Sequence, residues 1–188
     1  ISDISNRSTT ILKLKDSIKL KSCILCKENS YLYIVSDIGR IIKIKITESN
    51  FPFMGKLAQG TSIIKLFPNE NIIEALSLQE EQNKDLILFT NKGSFIKHSA
   101  QKIKKSKKGE LGIMGIHFKD NKIIKDRLIN CFVNNKYIYV KTNKERFEKL
   151  KTDQIDNCLY KKEKKLNIEL NNNEFIKYTF SMIIPEKD

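Results

Sequence analysis

A hairpin that recurs three times constrains this chain more than any other feature. In the first copy, Tyr31-Leu32-Tyr33-Ile34-Val35 runs through Ser36-Asp37-Ile38-Gly39 into Arg40-Ile41-Ile42-Lys43-Ile44-Lys45-Ile46. The second runs from Leu86-Ile87-Leu88-Phe89 through Thr90-Asn91-Lys92-Gly93 into Ser94-Phe95-Ile96-Lys97-His98. The third runs from Tyr137-Ile138-Tyr139-Val140 through Thr142-Asn143-Lys144-Glu145 into Arg146-Phe147. Copies spaced about 50 residues apart indicate a string of supersecondary units. The first arm of each is a short β-branched and aromatic run. The turn closes on Gly39 or Gly93, where a hairpin loop with a bulge needs positive φ. Glu145 replaces that glycine, so the third turn is expected to be different or strained. In the second arm Ile42, Ile44 and Ile46 face one way and Lys43 and Lys45 the other, an alternation that a helix cannot keep.

The second half of each unit repeats too. Ile63 to Phe67 precedes Pro68-Asn69-Glu70-Asn71 and Ile72-Ile73. Gly115 to Phe118 precedes Lys119-Asp120-Asn121-Lys122 and Ile123-Ile124, and Ile168 to Leu170 precedes Asn171-Asn172-Asn173-Glu174 and Phe175-Ile176. This pattern predicts a second hairpin with a polar, Asn-rich turn. Ile11 to Ile18 is similar to the same half-unit. The chain therefore divides into a partial blade over 1–30, blades over 31–84 and 85–135, and a degenerate blade over 136–188. Four short strands per unit predict an all-β, propeller-like array of antiparallel blades, about three and a half repeats long. The chain has no Trp, which excludes an ordinary WD pattern, and no Gly-Gly pair, which argues against kelch.

A chain of 188 residues, 40% hydrophobic, can bury a core without metal or disulfide staples and is not a disordered polymer. No apolar run reaches the roughly 18 residues a membrane-spanning helix needs, and no membrane partner is expected. The N-terminus has neither a signal peptide nor an initiator Met, so the chain is expected to be cut from a longer protein whose upstream targeting segment is out of view. Cys23 and Cys26 have C-x-x-C spacing, but no second close ligand pair accompanies them. They, Cys131 and Cys158 are expected to be buried reduced thiols, which suits a reducing compartment. His117 is expected to pack in an apolar strand, and Tyr31, Tyr33, Tyr137 and Tyr139 to serve as blade core. No phosphate-binding Gly-Lys-Ser/Thr loop occurs, and no catalytic or metal-ligating set is expected.

Lys and Arg number 35 against 22 Asp and Glu, for a net charge of +13. Such a field attracts nucleic acid first and anionic membrane second. Composition rich in Lys, Asn and Ile also follows from AT-rich codons, so position carries more weight than total charge. The stretch Lys92 to Lys108 contains seven lysines and no acid. From it Lys97, His98, Lys102, Lys104, Lys105, Lys107 and Lys108 are expected to contact nucleic-acid phosphates. Arg40, Lys43, Lys45 and Lys56 hold the matching places in the first repeat and complete the expected set. Cations at matching places in successive repeats can meet phosphates without reading sequence.

The loop joining the two hairpins carries a family resemblance. Ser106-Lys107-Lys108-Gly109-Glu110-Leu111-Gly112-Ile113-Met114-Gly115-Ile116 resembles the C-terminal domain of DNA gyrase A subunits, whose box reads Gln-Arg-Arg-Gly-Gly-Lys-Gly before a hydrophobic strand. Gly55-Lys56-Leu57-Ala58-Gln59-Gly60 resembles the Gly-Arg-x-x-Gln-Gly variant of other blades. The likeness is strong in the first two repeats and weak in the third. It implies a β-pinwheel, a propeller whose blades exchange strands and whose basic rim wraps double-stranded DNA to support negative supercoiling. It also implies a gyrase A cleavage domain and a gyrase B subunit as partners, with ATP and Mg2+ used elsewhere in the holoenzyme. Ser106 stands for Gln, Lys107 and Lys108 for the two Arg, Glu110 for Gly and Leu111 for Lys. Lysine keeps the charge but loses the planar fork that grips phosphate at two points. The loop is thus either a divergent wrapping box or an ordinary blade loop with its true box upstream. Topoisomerase IV has a similar domain, and the Gly-Glu-Leu-Gly segment is similar to cyanobacterial and plastid forms, so a plastid-type organelle or a bacterial cytoplasm is expected. A protein-interaction propeller that is basic by drift is the alternative, and an RNA-binding surface a further one.

Overall fold

The computed structural model describes residues 10, 12–118, 125–133, 137–151, 164–165 and 169–181. Among them the elements are all strands: β1 (Tyr31–Ser36), β2 (Arg40–Lys45), β3 (Ile72–Leu78), β4 (Asp85–Thr90), β5 (Ser94–Ser99), β6 (Ile113–Met114), β7 (Leu128–Val133), β8 (Tyr137–Thr142), β9 (Phe147–Lys151), β10 (Lys164–Lys165) and β11 (Ile176–Ser181). They form three antiparallel sheets in the orders β3-β1-β2-β6, β10-β5-β4-β7 and β11-β8-β9.

The hairpins follow the sequence. Gly39 (φ 90) and Gly93 (φ 77) occupy equivalent left-handed positions, with their amides donating to Ser36 O and Thr90 O at 3.0 and 3.1 Å. Glu145 makes the same turn: its φ is 61 and its amide donates to Thr142 O at 3.1 Å. Of the two expectations for this turn, strain is the one realised, since a side chain in this region crowds its own backbone.

A second device recurs in each unit. The turn residue Asp37, Asn91 or Asn143 accepts, through its side chain, the amide of Asn71, Arg127 or Phe175 at 3.0, 3.1 and 3.0 Å. Its own amide returns a bond to the carbonyl of the same residue. This lock fixes where β3, β7 and β11 begin, and it corrects the alignment of the second repeat. The strand there starts at Leu128, whereas Ile123-Ile124 lies outside the described residues.

The second hairpin is corrected as well. Ile63 to Phe67 forms no strand, and in the second unit the short strand β6 pairs with β2 of the preceding sheet, Arg40 opposite Met114 and Ile41 opposite Ile113. Likewise β10 joins β5 of the second sheet. Each of these sheets is completed by a segment of the following unit, the strand exchange that the resemblance implied.

Sheets stack face to face, and this decides burial. Tyr31, Tyr33, Val35 and Ile41 of the first sheet pack with Leu86, Leu88, Ile96 and Leu128 of the second. Ile87, Phe89, Phe95 and Phe132 on the second sheet's other face pack with Ile138, Val140 and Ile176 of the third. Leu32, Ile34, Ile42 and Ile44, on the remaining face of the first sheet, are covered by Ile24, Phe51, Ile63 and Ile64. Cys131 is buried as expected, but Cys23 and Cys26 are exposed. They flank Ile24, which turns into the core, so both point outward. Cys158 lies outside the described residues.

Candidate nucleic-acid interface

The loop after β5 is laid along the edge of the first sheet. The Ser106 amide donates to Lys43 O at 2.7 Å, Gly109 to Ile63 O at 2.8 Å, and Gly115 to Gly39 O at 2.7 Å. Gly112 (φ 74) passes so close to β2 that a Cβ there would overlap the Ile41 carbonyl oxygen and lie 3.0 Å from its carbon. Gly109 (φ 79) has open space around it, and its left-handed conformation serves the turn Lys107–Glu110. Glu110, which stands where the family box has glycine, closes this turn: its carboxylate accepts the Lys107 amide at 2.9 Å. Its charge is therefore placed on a backbone amide next to Lys107 and Lys108.

The expected site residues separate into two groups. Lys45, Lys56, Lys102, Lys104, Lys105 and Lys107 are exposed and Lys108 is half-buried. Lys105 and Lys45 converge on Glu80. Desolvation raises the Glu80 carboxyl, but Lys105, a hydrogen bond from Tyr31 and the Lys45 charge outweigh it and hold the group below its ordinary value. Lys105 Nζ lies 3.4 Å from Glu80 and 4.8 Å from the Tyr31 ring centroid. Lys65, not in the expected set, is exposed beside Ile63 and Ile64 on the segment that receives Gly109. Its signal was present just beyond the Gly55–Gly60 stretch that resembles a blade box.

Arg40, Lys43 and Lys97 are buried, and this corrects their expected exposure. Arg40 donates Nε to Glu70 at 2.8 Å, Nη1 to Leu111 O at 2.6 Å and Nη2 to Lys65 O at 2.7 Å; Nη2 also pairs with Glu70 Oε2. Burial pushes the Glu70 carboxyl up, but hydrogen bonds from Arg40, the Phe67 amide and Ser36 outweigh it and hold the group below its ordinary value. Lys43 Nζ donates to Ala100 O at 2.9 Å and Gln101 O at 3.2 Å, above the Tyr31 ring. Lys97 pairs with Asp85 at 3.2 Å. Half-buried His98 donates Nε2 to Gly115 O at 2.6 Å. The alternation in β2 and β5 is real, but stacked blades bury both faces of a sheet, so the lysine face points at the next blade. His117, expected to be packed, is exposed in a segment that is not a strand. No cluster of metal-ligating side chains occurs among the described residues.

The profile of the family described as "DNA gyrase C-terminal domain, beta-propeller" matches residues 30–78 and 84–135, more than half of the chain. The chain belongs to this family. Three solved structures show the same fold. The C-terminal domain of DNA topoisomerase IV aligns over 90% of this chain and 52% of its own, with TM-score 0.76 and 17% identity. The DNA gyrase A C-terminal domain aligns over 68% and 39%, with TM-score 0.54 and 17% identity. The E. coli ParC C-terminal domain aligns over 78% and 58%, with TM-score 0.58 and 16% identity. The chain thus spans between two fifths and three fifths of the length of these domains. No curated protein matched the chain. The architecture is β-propeller-like, in agreement with the family description.

Proposed function

We propose that this gyrase-family domain binds double-stranded DNA without sequence preference and bends it along its rim, within the A subunit of a type II topoisomerase. The observation that carries this reading is the loop Lys102–Gly112, pinned to the first blade. It holds Lys104, Lys105, Lys107 and Lys108 against the first blade, next to Lys45 and Lys65, by backbone bonds and a glycine contact instead of by flexible side chains. Fixed cations at successive places along a rim neutralise phosphates and position a duplex without reading it. The buried Arg40, Lys43 and Lys97 hold the rim together, and the exposed lysines meet the polyanion. Strand cleavage, ATP hydrolysis and Mg2+ belong to other parts of the holoenzyme in this reading, and gyrase-type supercoiling in a plastid-type organelle or a bacterium is its finer form.

The test compares two charge-matched variants on an unrelated duplex at several salt concentrations. Replacing Lys105, Lys107 and Lys108 by Ala should lower the slope of log K against log salt by about 3, near one per phosphate contact, and should reduce bending. Replacing exposed Lys13, Lys15 and Lys19 should do much less. Equal losses would assign the binding to net charge, and a flat salt response in the parent would leave the protein-interaction reading in its place.

A further inference from the structure

The first two sheets each present one face to the next blade, and the third sheet carries the equivalent face uncovered by any described residue. Register makes the comparison residue by residue. Tyr139 pairs with Lys149 and Phe180 as Tyr33 pairs with Lys43 and Leu76. Lys141 pairs with Phe147 and Tyr178 where Val35 pairs with Ile41 and Glu74. In the first sheet these positions seat the next blade, with Lys43 buried on the Ala100 and Gln101 carbonyls, but in the third a lysine replaces the central valine. Phe147, Tyr178 and Phe180 are 62%, 54% and 43% exposed. The Tyr139 and Phe180 rings lie nearly parallel, 7° apart with centroids 5.3 Å apart.

Cations are interleaved with these rings. Lys149 Nζ lies 4.1 Å from the Tyr137 ring centroid, Lys141 5.1 Å from Phe147, and Lys177 5.3 Å from Tyr178. Lys151, opposite Tyr137, adds a fourth ammonium. The carboxylate near them is Glu145, paired with Lys141 and held below its ordinary value chiefly by a hydrogen bond from that lysine. In the first sheet the one ammonium at an equivalent buried position, Lys43, is compensated by two carbonyls of the next blade; four ammoniums on one face require many more acceptors to be desolvated, and phosphates supply them.

We propose that this sheet face binds single-stranded nucleic acid, with bases stacked on Phe147, Tyr178 and Phe180 and phosphates met by Lys149, Lys151 and Lys177. Unpaired bases offer flat rings that a duplex keeps inside its stack, and an open aromatic sheet flanked by lysines is the surface that uses them. This function is separate from the rim reading. A wrapped duplex requires the box-like loop, and a single strand requires the third blade.

The probe is fluorescein-labelled dT20, followed by anisotropy alongside rU20, an abasic phosphodiester of the same length, and a 20-base-pair duplex. The parent should bind dT20 at least tenfold more tightly than the abasic strand, and the rU20 arm separates DNA from RNA preference. Phe147→Ala and Tyr178→Ala, both at exposed positions, should each weaken dT20 roughly tenfold or more and leave the duplex unchanged. The triple replacement of Lys105, Lys107 and Lys108 should show the opposite selectivity, so failure of either reading is visible without the other. Equal affinity for dT20 and the abasic strand, or dT20 binding indifferent to both aromatic variants, overturns the proposal. Light scattering adds an independent measurement: a parent that self-associates, and variants that do not, would assign the face to blade-to-blade contact instead.

Discussion

Gly112→Ala tests whether the box-like loop is held against the first blade as described, because it alters shape and leaves every charge in place. Two costs add. The φ of 74 places an L side chain in the left-handed region, which costs about 1–2 kcal/mol, partly offset by reduced freedom of the unfolded chain. The new methyl would also overlap the Ile41 carbonyl oxygen. That oxygen belongs to β2, an interior strand of a sheet buried on both faces, so the loop has to move, at about 1–3 kcal/mol for such overpacking. The sum is about 2–4 kcal/mol. Gly109→Ala is the internal control, having a similar φ of 79 but open space, and it should cost about 1 kcal/mol. Urea unfolding of the two variants should therefore differ by about 2 kcal/mol, or roughly 4–8 °C in Tm for a chain of this size. Duplex affinity should fall in Gly112→Ala, although its net charge equals that of the parent. Equal stability losses in the two variants would refute the close approach, and with it the argument that a fixed loop presents the lysines.

Arg40→Met should destabilise by about 3–5 kcal/mol in urea unfolding, because it leaves the Glu70 carboxylate buried without its main partner. The folded-state carboxyl of Glu70 is held below its ordinary value of 4.5, so its contribution is fully present above that value and is lost as pH falls through the lower folded value; Glu70→Gln should flatten this part of a stability-against-pH curve. Burial pushes the Cys131 thiol well above its ordinary range, so in native protein iodoacetamide should label exposed Cys23 and Cys26 first and Cys131 only on unfolding, as mapped by mass spectrometry. Glu145→Gly should relieve about 1 kcal/mol of turn strain against the lost Lys141 pair and the greater freedom of unfolded glycine, giving a net change within about 1 kcal/mol and an unchanged hairpin by amide exchange.

Local signals were legible in the sequence and non-local ones were not. Gly39 and Gly93 announce their turns because positive φ is a property of one residue. The arms Tyr31–Ser36 and Asp85–Thr90 announce themselves because a β-branched and aromatic run spans only a few residues. The partner of β6 was hidden: the sequence marks Gly115 to Phe118 as the arm of a second hairpin, yet the strand is Ile113-Met114 and it pairs with Arg40 and Ile41 in the preceding sheet. The exposure of lysines was misread for a related reason. Alternation in β2 shows that Lys43 and Ile44 face opposite ways, but only the neighbouring blade, whose Ala100 carbonyl accepts Lys43, shows that both are buried. In the candidate interface the loop lysines were readable as a charge run with glycines at fixed places. The division between Lys105, which meets solvent, and Lys97, which is buried with Asp85, depends on packing that no local window contains. The third blade's aromatic face was visible only as strand-spaced tyrosines, because three of its cations, Lys149, Lys151 and Lys177, lie on the two neighbouring strands.

Strand exchange also sets an order of events during synthesis. The first sheet lacks its edge strand until Met114 has left the ribosome, long after Lys45, and β5 waits in the same way for Lys164 and Lys165. Each nascent blade therefore carries an unsatisfied edge until its successor arrives, an invitation to pair with a neighbouring chain. Once assembled, the units are linked like shingles, each pinned by the next, so removing one from the C-terminal side strips an edge from the unit before it.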